Sequence, residues 1–95
     1  MITHIVFFRL QPDRLGEAPE LARRLRAMAG RIPGLLHCEA GVDIDRSGRA
    51  WDVALVTRFP DAAALAAYQV DPIHKDVIAF VREVSQESAV VDFTD

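Results

Sequence analysis

The chain has 95 residues, enough for one domain, and with 51% hydrophobic and 26% charged residues it is too apolar to be an intrinsically disordered polymer. A net charge of -3 argues against a nucleic-acid module, and a single cysteine, Cys38, excludes an internal disulfide framework. The opening MITHIVFFRL has no basic leader and Arg9 cuts its apolar run short, so the expectation is a cytoplasmic chain forming one domain over 1–95, without a signal peptide or membrane contact.

Thr3 to Leu10 is β-branched and aromatic and reads as a strand. Ile5 and Phe7 fall on one face and His4, Val6, Phe8 and Leu10 on the other, so both faces need cover. After Pro12, residues 15–31 read as a helix, with Ala18, Leu21, Ala22, Leu25, Met28 and Ile32 at helical spacing and Glu20 placed to pair with Arg24. Pro33-Gly34 ends it. Residues 38–45 alternate cleanly and predict a strand with one dry face. Arg46 to Arg49 predicts a hairpin connection with Gly48 at positive φ. A central strand is expected over 50–59, with Trp51, Val53, Leu55 and Phe59 on one side and Ala54 and Val56 on the other. Asp61 reads as the N-cap of a short helix through Tyr68, Pro72 stops it, and a second helical piece carries Ile73, Val77, Phe80, Val81 and Val84. A last strand is expected over 89–93.

The order is β-α-β-β-α-β, the ferredoxin-like α+β arrangement with a four-stranded antiparallel sheet. Its helices cover one face only. The other would expose Ile5, Phe7 and their neighbours, more apolar surface than monomers leave in water, so a homodimer packed through that face is expected.

Nearly the whole chain resembles the stress-responsive dimeric α/β-barrel (Dabb) family. The resemblance is carried by HIVFF at 4–8, RIPGL at 31–35, DVALVTRF at 52–59, AAYQVDPIH at 66–74 and VVDF at 90–93, in that order. It implies a dimeric α/β barrel and, for many members, no defined activity. One plant branch is similar to polyketide cyclases that close an aromatic ring without metal or cofactor, using residues that match His4, Tyr68 and His74 here. A histidine titrates near neutral pH and a tyrosine hydroxyl can stabilise an oxyanion, so the three suffice for acid/base work on a carbonyl compound. His4 shares its strand face with Val6 and Phe8, and His74 shares its helix face with Val77, Ile78 and Val81. These two faces are expected to meet across a small apolar pocket with Tyr68 at its edge.

The same residues also have structural readings: His4 as hydrogen-bonded packing at a sheet end, Tyr68 as a half-buried core aromatic, His74 as a tie between two helical pieces. The leading expectation is therefore a homodimer of undefined activity that binds a small apolar ligand between sheet and helices. The alternatives are a cofactor-independent cyclase-like enzyme or a cofactor-free monooxygenase of a similar dimeric barrel. No cofactor is expected. No metal site is expected either, because the three histidines lack ligand spacing.

Overall fold

The computed structural model describes residues 1–95. Its elements are β1 (Ile2–Leu10), a 3-10 segment (Pro12–Glu17), α1 (Ala18–Arg26), β2 (His37–Val42), β3 (Val53–Phe59), α2 (Ala62–Val70), α3 (Pro72–Val84) and β4 (Ser85–Thr94). All neighbouring strands are antiparallel, in the order β2-β3-β1-β4. The two strands apolar on both sides, β1 and β3, are the central ones.

The expected closure into a barrel does not occur. β2 and β4 are free edges on opposite sides of the sheet, and four strands are about half of what a filled barrel needs. The chain is an open ferredoxin-like sheet with helices on one face.

Strand register sorts the side chains. His4, Val6 and Phe8 stand beside Thr57, Leu55 and Val53 of β3, and this side carries the core under the helices. Ala18, Leu21, Ala22 and Leu25 bury the α1 stripe against it, and Met28 joins them from the turn that follows. The helix expected over 15–31 is shorter at both ends: Pro19 falls in the first turn of α1, a 3-10 segment precedes it, and tight turns replace the helix after Arg26. Glu20 clasps both Arg23 (2.6 Å) and Arg24 (2.8 Å), and these two guanidiniums hold its carboxyl down at about 2.

The β2–β3 connection is longer than the alternation suggested. Positive φ falls on Arg46 (55°) rather than on Gly48, because the Arg46 N–H donates to the Asp43 carboxylate and its guanidinium reaches Asp43 and Asp52. The buried Asp52 carboxylate also accepts from the Leu10 N–H at 2.7 Å, tying the loop to β1. With β3 starting only at Val53, Trp51 is released from the strand alternation. It packs beside Phe7 (6.5 Å between rings) and under Arg9 instead of joining Val53.

Asp61 caps α2 by accepting from the Ala64 N–H, and Asp71 caps α3 by accepting from the Ile73 N–H, with Pro72 in the first turn. The Val84 carbonyl accepts from the Gln11 N–H at 2.9 Å. The C-terminal end of α3 therefore lies at the C-terminal end of β1, and the two run in the same direction. β4 follows α3 without a loop and starts four residues earlier than expected.

The opposite sheet face has no helix over it. Phe7 (43%), Val91 (62%) and Phe93 (45%) stand exposed there, beside the half-buried Ile5 and Val56. No helix is long and apolar enough to cross a membrane.

Candidate functional site

A cavity of about 300 Å³ lies between the helix-facing side of β1 and the inner stripe of α3. The strand contributes His4, Val6 and Phe8 because a period of two sends them to one side. The helix contributes His74, Ile78 and Arg82, spaced four apart, with Val81 beside them. Tyr68 and Gln69 come from the end of α2, and Leu25, Leu55 and Ser88 complete the wall. Among the residues singled out from sequence, His4, Tyr68, His74, Val6, Phe8, Ile78 and Val81 all line this cavity. Val77 does not: it is buried in the core at another side of α3, next to Arg23, Arg24 and Asp76.

The three polar residues gather at one end. The ring of Tyr68 lies 4.1 Å from that of His74 and 6.1 Å, edge-on, from that of His4, while Phe59 backs it at 4.9 Å. Tyr68 is 0% exposed, and neither its hydroxyl nor Nδ1 of His74 has a hydrogen-bond partner in the protein. A buried polar group left so costs about 1–3 kcal/mol. Burial pushes the Tyr68 hydroxyl well above the ordinary tyrosine range, with the charge of a Cys38 thiolate acting the same way, so it is a donor throughout neutral pH. Burial holds the His74 imidazole below its ordinary value. The Gln69 backbone and Asp71 oppose that shift and the charge of His4 adds to it. His74 is therefore neutral at pH 7.

His4 has a partner that sequence reasoning missed. The register of β1 on β4 places Asp92 directly beside it, and the carboxylate is hydrogen-bonded to His4 Nδ1. An Nδ1–H donated to Asp92 leaves Nε2 with the free lone pair, the orientation in which an imidazole accepts a proton. The only hint in the sequence is an acidic residue inside the apolar VVDF run, on the side β4 shares with its core-facing positions. Cys38, at the edge of this core, donates its thiol to the Leu25 carbonyl, and burial raises its pKa.

The Stress responsive A/B Barrel Domain family matches residues 2–95. The chain belongs to this family. An uncharacterised protein of Streptomyces coelicolor is 31% identical to this chain over 86 residues, covering 87% of this chain and 89% of its own. Among solved structures, a dimeric protein of unknown function with a ferredoxin-like fold from Bacteroides fragilis superposes with a TM-score of 0.88 at 23% identity, over 99% of this chain and 95% of that one. A dimeric ferredoxin-like protein of unknown function from Thermobifida fusca gives 0.78 at 26% identity, over 99% and 90%. The Dabb fold of this chain is thus shared with proteins that assemble as dimers, and none of these three has an assigned activity.

Proposed function

We propose that this chain is a ligand-binding homodimer: the cavity along α3 holds a small apolar molecule bearing a carbonyl or hydroxyl oxygen, and the bare sheet face packs on a second copy through Ile5 and Phe7. The observation that carries the ligand reading is the pair of unpartnered buried polar groups, the Tyr68 hydroxyl and His74 Nδ1, at one end of a mainly apolar cavity. A ligand oxygen between them supplies the hydrogen bonds the protein does not. The volume sits at the lower end of ligand pockets, about 300–1,000 Å³, which limits the ligand to a small one. The dimer reading is supported by the exposed Phe7, Val91 and Phe93 and by the dimeric state of the two solved relatives.

Acetophenone, an apolar carbonyl compound of suitable size, tests the ligand reading. Amide chemical shifts in labelled protein should move around Tyr68, His74 and Ile78, and Ile78→Trp, which fills the cavity, should abolish the movement. Shifts confined to the bare sheet face, or none at all, would overturn it.

A second reading, cofactor-independent acid/base catalysis on such a ligand, is favoured by the His4–Asp92 pair. In it His4 Nε2 removes a proton from carbon beside the ligand carbonyl while Tyr68 donates to the resulting oxyanion and His74 orients the tyrosine. Exchange of the acetophenone methyl protons in heavy water measures that step. Catalysed exchange lost on Asp92→Asn supports it, and exchange at the buffer rate refutes it.

A further inference from the structure

We infer that the molecule held in this cavity is a small carboxylic acid lying lengthwise, its carboxylate on Arg82 and an oxygen at its other end against Tyr68 and His74. This rests on the cavity being a ligand site and adds the chemical class and direction of the ligand.

The cavity is elongated and its ends differ. His74 and Arg82 are eight residues apart on one stripe of α3, which separates them by about 12 Å along the axis. β1 runs alongside in the same direction, with His4 at the His74 end. Phe8, paired with Ser88, lies about 14 Å further on, at the Arg82 end. One end is thus the cluster of buried His4 and Tyr68 with half-buried His74, and the other is an exposed mouth formed by Arg82 and Ser88.

Arg82 is the only residue with a fixed charge on the cavity wall, and no Asp or Glu lines it. Arg82 also makes no ion pair. The carboxylates near it in the chain are engaged elsewhere, Glu83 with Arg14 and Glu87 with Arg9, and Asp92 lies at the other end of the cavity with His4. In a chain with an acidic excess this leaves an unpaired arginine at the exposed end of an apolar trough, and a carboxylate is the anion whose two oxygens fit its fork. The middle of the trough, formed by Val6, Leu55, Ile78 and Val81, offers no hydrogen bond and fits an aliphatic or aromatic body.

The probe is 3-(4-hydroxyphenyl)propionate, compared by calorimetry with its methyl ester, which lacks the charge, and with 3-phenylpropionate, which lacks the hydroxyl. The acid should bind about five- to tenfold more tightly than the ester. Arg82→Gln should erase that difference while leaving ester affinity unchanged, and Tyr68→Phe should weaken the hydroxylated acid but not 3-phenylpropionate. Equal binding of acid and ester to the unmodified protein would overturn the inference and leave the cavity reading standing. So would an Arg82→Gln variant that weakens both alike. Failure of all three probes to bind would overturn both.

Discussion

Replacing Tyr68 by Phe should make the ligand-free protein more stable and a poorer binder. The hydroxyl is fully buried with no partner in the protein, and leaving such a group unsatisfied costs about 1–3 kcal/mol. Removing one oxygen forfeits only a few atom contacts of about 0.1–0.2 kcal/mol each. The net expectation is a gain of about 1–2 kcal/mol, and each kcal/mol moves the melting temperature of a domain this size by about 4–8 °C. The assay is urea unfolding of both proteins, stripped of ligand and at equal chain concentration, which keeps any contribution of self-association the same in both. The urea midpoint should rise with the slope unchanged. Acetophenone affinity should fall in the same variant. A Tyr68→Phe protein as stable as the original, or less stable, would refute the reasoning, because it would mean the hydroxyl is already satisfied and not held for a ligand.

Other substitutions probe the frame around the site. Gly34 has φ +83°, and a Cβ there would stand 2.9 Å from that of Ala64, so Gly34→Ala combines about 1–2 kcal/mol of left-handed strain with about 1–3 of overpacking and should lower the urea midpoint accordingly. Phe7→Asp should convert a dimer in sedimentation velocity into monomer or aggregate, while a variant that sediments as the unmodified dimer would contradict packing through that face. Stability should also fall on acidification. The unfolded His74 takes up its proton near pH 6.5 while the buried one resists until lower pH, so stability is full above about 6.5, declines below it and levels off once the folded imidazole is protonated. His74→Gln should flatten that decline in thermal melts between pH 7 and 4.5, and an unchanged slope would show that His74 is not its source.

The strand faces were legible because β1 is apolar at both parities, a pattern that marks a central strand. The trio His4, Tyr68 and His74 was singled out by the family resemblance, and the strand face together with the helical stripe after Pro72 set His4 opposite His74. Asp92 was not legible, since its place beside His4 depends on how β4 registers on β1 across more than eighty residues of chain. Arg82 was passed over for a related reason: on a helical wheel it is one more charge, and only the parallel run of α3 along β1 turns it toward the trough. Trp51 was assigned by alternation to the wrong side, because the Asp52 tie to Leu10 delays the start of β3 by three residues. Closure of the sheet was expected from family resemblance and not from strand count, and four strands leave two edges open.

Native mass spectrometry of freshly purified protein at micromolar concentration tests most directly whether the two sheet faces serve assembly and binding. The expected result is a species of twice the 10.5 kDa chain mass carrying a small molecule that Ile78→Trp excludes. A stable, soluble species of one chain mass, with nothing bound and no uptake of acetophenone, would contradict it.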